Sequence, residues 1–153
     1  MRVTIAREPV RQEGVIALLE QSDAYMATLY PAESNHLLDI TSLENLKVSF
    51  FVARRNGEIV GCRALVEVGD GTAEIKRMFV SPDARGLAIG RLIMEALEDG
   101  ARTMGLGAIR LETGINQPEV IGLYRRFGFD EIPPFGSYRP DPLSLFMEKR
   151  LTG

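Results

Sequence analysis

Val80-Ser81-Pro82-Asp83-Ala84-Arg85-Gly86-Leu87-Ala88-Ile89-Gly90 carries the strongest chemical signal in the chain. The stretch joins a strand-like run, Glu74 to Val80, to a long amphipathic segment, Arg91 to Met104. The first N–H groups of a helix have no partner within it, and small residues at the junction let a ligand approach them closely. Such a helix start is suited to phosphates. Two other phosphate loops are excluded. No Gly-Lys-Ser/Thr follows, so this is not a nucleotide-triphosphate loop, and the glycine spacing does not match the dinucleotide fingerprint. Downstream stand Glu112-Thr113-Gly114, Asn116, Pro118, Tyr124 and Gly128-Phe129.

These residues need elements to hold them. Val3 to Arg7 alternates as a first strand. Val15, Leu18, Leu19, Ala24 and Tyr25 make the apolar stripe of a first helix that starts near Gln12. Pro31 to Leu46 contains Ser34, Asn35, Thr41 and Ser42, cap-type residues that predict short helical turns. Phe50 to Arg54 and Ile59 to Val68 flank Asn56-Gly57, a strong hairpin signal. Asp70-Gly71 turns a second hairpin into Ala73 to Val80. In the long helix Leu92, Ile93, Ala96, Leu97, Ala101 and Met104 fall on one face, and Gly105 stops it. Ala108 to Glu112 is a short strand. Pro118 opens the next helix and Gly128 closes it. Phe129 to Ile132 and Leu145 to Lys149 are the last two strands. The order is β-α-α-β-β-β-α-β-α-β-β.

Composition is consistent with one domain over residues 1–153. Hydrophobic residues make up 45% and charged residues 25%, ordinary values for a globular protein. A formal net charge of −3 gives no electrostatic case for nucleic acid or an anionic membrane. One cysteine, Cys62, precludes an internal disulfide, and its apolar strand context predicts a buried, inert thiol. With one histidine, one cysteine and no ligand spacing, no metal is expected. No apolar run approaches the roughly 18 residues that span a bilayer, and no signal core opens the chain, so a cytoplasmic protein is expected.

Arg85-Gly86-Leu87-Ala88-Ile89-Gly90 resembles the Arg/Gln-x-x-Gly-x-Gly/Ala phosphate loop of the GNAT superfamily of acetyl-CoA-dependent N-acetyltransferases. Leu123-Tyr124-Arg125-Arg126-Phe127-Gly128-Phe129 resembles its Tyr-x-x-x-Gly-Phe signature. Tyr30-Pro31-Ala32-Glu33-Ser34, Glu112-Thr113-Gly114, Gln117-Pro118-Glu119 and Pro134-Phe135-Gly136-Ser137-Tyr138 together are similar to a subgroup of small bacterial members with mostly unassigned acceptors. The resemblance implies an α/β (α+β) fold, the GNAT fold. Its central twisted sheet is mixed and mostly antiparallel, with about seven strands flanked by about four helices. Its element order is the one that periodicity gives here.

Acetyl transfer to an amine sets three chemical demands. The amine must lose a proton from a group of pKa near ~10.4, which calls for a carboxylate or a water chain. N–H donors must take the oxyanion. The departing thiolate, whose thiol has a pKa near ~8.5, needs an acid.

The resemblance assigns candidates. Strands four and five splay apart in the family. The backbone of Met78, Phe79 and Val80 would meet the pantetheine arm there, one N–H facing the thioester oxygen. Arg85, Gly86, Leu87, Ala88, Ile89, Gly90 and Arg91 would hold the pyrophosphate. Ala88 replaces the family's first glycine, a position where alanine can take helical angles. Tyr124 occupies the place of the general acid and can pack its ring while its hydroxyl reaches the sulfur. Asn116 resembles the asparagine that contacts the cofactor arm, or serves as a turn residue. Glu74 stands eleven residues before Arg85, the spacing of the glutamate base in some histone-type members. Glu33 is the rival base and a substrate contact, because its segment walls the acceptor site in this fold. For both, a solvated surface carboxylate is the plain alternative. His36, alone in a polar loop, reads as a surface or capping residue. Tyr138 and Arg139, in the Pro-rich loop Pro133 to Pro142, are candidates for substrate contact. Arg63 and Lys76 on neighbouring strands hint at a carboxylate on the acceptor. The expected partner is a small-molecule or peptide amine, and a homodimer is compatible with the fold. A non-catalytic acyl-CoA-binding sensor or interaction module is the alternative function.

Overall fold

The computed structural model describes residues 2–31, 39–85 and 88–151. Seven strands form one sheet in the order β1-β2-β3-β4-β5-β7-β6. The strands are β1 (Val3–Arg7), β2 (Val48–Arg55), β3 (Glu58–Glu67), β4 (Thr72–Val80), β5 (Ala108–Gly114), β6 (Asp130–Ile132) and β7 (Ser144–Arg150). Among the described strands only β4 and β5 run parallel, and α3 (Ile89–Thr103) crosses between them. The other pairs are antiparallel. The other helices are α1 (Glu13–Leu29), α2 (Ile40–Leu43) and α4 (Pro118–Arg126). Among the described residues no helix is long and apolar enough to cross a membrane.

Local chemistry accounts for most of the boundaries. Asn56 (φ 51°) and Gly57 (φ 88°) both occupy the left-handed region, as a two-residue type I′ hairpin requires. Pro118 opens α4, where its missing N–H costs no bond, and Gly128 (φ 87°) turns the chain out behind Phe127. Residues 32–38 lie outside the described part. Of the short turns expected in that region, α2 is seen, started by Asp39, whose carboxylate accepts from the Ser42 N–H at 2.8 Å.

The sheet is covered on both faces. Val15, Leu18 and Leu19 of α1 pack with Val48, Phe50, Val52, Cys62, Ala64 and Phe79. On the opposite face, Met94, Leu97 and Ala101 of α3 and Tyr124 of α4 pack with Leu65, Ala73, Ile75, Ile109, Leu111 and Met147. Two expected stripes are corrected. In α1 Ala24 is exposed, and Ser22 and Met26 carry the buried face instead. Their spacing from Leu18 and Leu19 follows the helical turn more closely. In α3 Met104 is exposed, Leu92 and Ala96 are only half-buried, and Ile89 and Met94 join the core. That helix begins at Ile89, two residues before Arg91, so Ile89 stands one turn before Ile93, and Met94 stands three residues before Leu97 on the same face.

Candidate active site

The site begins where β4 and β5 separate. Their pairing runs from Thr72 opposite Ala108 to Ile75 opposite Leu111 and stops. β5 continues along β7 to Gly114 opposite Ser144, while β4 continues along β3 to Val80 opposite Gly61. A wedge opens between them, and the edge of β4 that faces it has no strand partner for its peptide groups. At the same place β4 carries a bulge. Ala64 pairs with Lys76 and Cys62 with Phe79, so one residue of β3, Arg63, stands opposite two of β4, Arg77 and Met78.

A cleft of about 920 Å³ extends from the wedge along the start of α3. Met78, Phe79, Val80, Arg85, Ala88, Ile89, Gly90 and Arg91 line one wall, and α4 supplies the other through Val120, Leu123 and Phe127. A Cβ on Gly90 would stand 3.0 Å from the Leu123 Cδ2, so the glycine permits the close approach of the two helices. Ala88, at the N-cap, makes no side-chain hydrogen bond to α3, and the first N–H groups of a helix have no partner within it. Ala88 departs from expectation. It adopts φ 62° and ψ 17°, left-handed and not helical, a conformation that glycine takes at lower cost. Arg85 donates from Nε to the Val80 carbonyl at 3.2 Å, and its guanidinium lies over the rings of Tyr25 and Phe79. Arg91 pairs with Glu95 at 2.9 Å. Gly86 and Leu87 lie outside the described residues.

A smaller cavity of about 80 Å³ sits in the mouth of the wedge. Met78, Gln117 and Val120 line both cavities, so the two adjoin. Tyr124 reaches this cavity from the core, 4% exposed, with its ring 5.7 Å from that of Phe129. Burial, and to a lesser degree the charge of Glu112, raises its hydroxyl pKa well above the ordinary phenol value. Lys76, Arg77, Glu112 and Tyr30 also line it.

The structure brings some predicted residues together and separates others. Asn116 lines neither cavity. Its N–H donates to the Tyr30 hydroxyl at 3.1 Å, and the neighbouring Gln117 lines both cavities. Gln117 takes that place because Pro118 starts the helix directly after it. Its Oε1 accepts from the Gly114 N–H and the Tyr30 O–H, each at 3.3 Å. The signal that could have found it is its position before a helix-opening proline.

Glu74 accepts a hydrogen bond from the Tyr138 O–H and pairs with Lys76 at 3.2 Å, and Lys76 also donates to the Tyr138 oxygen. The rings of Phe135, Tyr138 and Phe146 pack within 5.9 Å of one another, which seats the Pro-rich loop on the sheet. Glu33 and His36 lie outside the described residues. Arg63 does not join Lys76. It is 1% exposed, lies 4.1 Å over the Phe51 ring and lines neither cavity. Burial pushes its pKa down to about 10. β3 is buried continuously from Val60 to Leu65, so alternation along the strand does not assign the face; the pairing of Arg63 opposite Phe51 of β2 does. Cys62 is fully buried, as its strand context implied, and burial pushes its thiol up to about 12.

The sequence profile of the Acetyltransferase (GNAT) family matches residues 16–129, a span that holds the wedge, the start of α3 and α4. The chain belongs to the GNAT acetyltransferase family. An IAA acetyltransferase of Azospirillum brasilense is 55% identical over 150 residues, 97% of this chain and 98% of the relative. The uncharacterized N-acetyltransferase YsnE of Bacillus subtilis is 31% identical over 90% of this chain and 92% of its own. Among solved structures, an acyl-CoA N-acyltransferase assignment from Klebsiella pneumoniae superposes with a TM-score of 0.87 at 38% identity, covering 98% of each chain. The PaiA N-acetyltransferase of Thermoplasma acidophilum, crystallised with coenzyme A, shares the fold, with a TM-score of 0.77 at 19% identity over 98% of this chain and 99% of its own.

This GNAT protein is an acetyl-CoA-dependent N-acetyltransferase. Its cleft fits the co-substrate. An unpaired β4 edge suits an amide-bearing arm, and an uncapped helix start suits a pyrophosphate. The cleft is open enough for both.

Proposed function

We propose that this acetyltransferase acetylates the amine of a small molecule by direct attack in a ternary complex. The observation that carries this reading is the wedge, where the acetyl-CoA cleft and the Tyr124 cavity adjoin at Met78. The name of the Azospirillum brasilense relative agrees with a small acceptor, and a peptide is the wider alternative.

In this reading the backbone of Met78, Phe79 and Val80 holds the pantetheine arm. The first turn of α3 takes the pyrophosphate, from Ala88 to Arg91 together with Arg85, Gly86 and Leu87. The Met78 N–H receives the charge that builds on the thioester oxygen as the amine nitrogen bonds to the carbonyl carbon. Tyr124 gives its proton to the sulfur as the carbon–sulfur bond breaks, and its raised pKa keeps that proton available. Glu74 accepts the proton lost by the amine and reaches the acceptor side through the Tyr138 hydroxyl that it holds. Tyr138 and Glu33 contact the acceptor. Gln117 takes the contact with the arm that was expected of Asn116.

The test is thiol release from acetyl-CoA across amino acids, polyamines, aminoglycosides and amine-bearing peptides, read with mass spectrometry of the product. A small amine that raises release above the rate without enzyme, with an acetamide formed, is the expected result. Turnover confined to peptides would overturn the small-acceptor reading.

A further inference from the structure

Arg77 sits mid-strand with φ 56°, a backbone conformation that side chains with a Cβ rarely adopt. Two other described residues without glycine's freedom share a positive φ. Asn56 belongs to a hairpin turn and Ala88 to the start of α3, where a chain must bend. Arg77 lies within β4, at the bulge that opens the wedge. Glycine would suit this backbone better. The arginine side chain makes contacts that glycine could not.

That side chain is 3% exposed and is anchored on α1. Nη1 pairs with the Asp23 carboxylate at 2.7 Å, and Nη2 donates to the Leu19 carbonyl at 3.3 Å. From the other side, the Arg77 carbonyl accepts from the Cys62 thiol on β3 at 3.3 Å. The bulge is therefore held by a helix and by a strand at once. Strain that is over-determined in this way, beside a reaction cavity, is a sign of function. Arg77 and Met78 both line the cavity in the wedge, and Met78 continues into the acetyl-CoA cleft.

We propose that Arg77 is a positioning residue: its ion pair with Asp23 fixes the β4 bulge so that the Met78 N–H stands against the thioester oxygen. The inference rests on the reading of Met78 given above. Acting through the backbone of its neighbour, Arg77 controls polarisation of the carbonyl and leaves the hold on the pantetheine arm and phosphates to other residues.

The experiment compares wild type, Arg77→Gly, Asp23→Ala and Asp23→Glu. Arg77→Gly suits the left-handed backbone and removes the anchor. Asp23→Ala removes the ion pair from an exposed partner, 56% accessible, and leaves the bond to the Leu19 carbonyl, so it tests the idea even if Arg77→Gly does not fold. The readouts are the dissociation constant for acetyl-CoA and the infrared carbonyl stretch of bound acetyl-CoA, isotope-labelled at the acetyl carbonyl. The kcat and KM with an active acceptor complete the set. In wild type, binding should lower the stretch relative to free acetyl-CoA. Arg77→Gly and Asp23→Ala should bind equally well but lose that shift, with kcat down about 10- to 100-fold, short of or equal to the loss of an oxyanion donor, and KM unchanged. Asp23→Glu should restore both.

A shift retained in Arg77→Gly or in Asp23→Ala overturns the positioning role alone. Tight binding with no shift in wild type overturns the reading of Met78 and this inference with it.

Discussion

At the scale of single residues, Tyr124 has the most demanding position. Its ring is part of the core, and the residue lines the wedge cavity. Burial disfavours the phenolate, so the group keeps its proton well beyond the ordinary phenol value near ~10. Tyr124→Phe should lower kcat about 100-fold or more, the usual scale for a lost acid, while acetyl-CoA affinity stays near wild type. The wild-type profile of kcat against pH should show no alkaline fall from tyrosine ionisation up to pH about 10. Steady-state kinetics and calorimetric binding check both halves, and an unchanged kcat would remove the acid role. Glu74 shows how differently a carboxylate reads once its neighbours are known. Its place on β4 was evident from the chain, whereas its bond to Tyr138 joins segments far apart in sequence.

At the scale of elements, the wedge depends on how closely α1 meets the end of β5. Tyr30 follows the last turn of α1, and its ring lies against Gly114 at the end of β5. A Cβ on Gly114 would stand 1.9 Å from the Tyr30 hydroxyl oxygen and 2.0 Å from Cζ. The same hydroxyl bonds Asn116 and Gln117, so this contact also sets the entry to α4. Gly114→Ala should therefore destabilise the fold by about 1–3 kcal/mol through overpacking. Tyr30→Ala in the same chain should recover part of that loss by vacating the space. Urea denaturation of the single and double variants decides it, and a neutral Gly114→Ala would contradict the packing. Glu112-Thr113-Gly114 stood out in the sequence, but the reason for its glycine appears only when α1 is laid beside it.

At the scale of the whole molecule, acid should loosen the first half of the sheet. Glu8 follows β1 and accepts two hydrogen bonds from Arg54 of β2, at 2.8 and 2.9 Å. Those bonds hold the Glu8 carboxyl below its usual value, against the opposing effect of burial and with help from Gln12. A depressed folded-state pKa gives stability that is present above the unfolded value, near ~4.3. That stability is lost as pH falls through the folded value. Glu8→Gln should thus be less stable than wild type at neutral pH. The gap should close as pH drops below about 4.3. Thermal unfolding measured across that range tests it, and a gap independent of pH would refute the linkage.

The sequence by itself determined the order of elements, the hairpin at Asn56-Gly57, the bounds of α4 and the strand-to-helix junction that follows Val80. Each of these follows from local chemistry: periodicity, a left-handed turn, a proline without an N–H, or unpaired groups at a helix start. Only the tertiary structure decided that Arg63 turns inward, that Gln117 rather than Asn116 faces the wedge, and that Ala88 is left-handed. It alone placed the bulge at Arg77 and tied it to α1. Strand register and side-chain partners join segments distant in the chain, and packing between those segments, not the preference of any one of them, selects the arrangement.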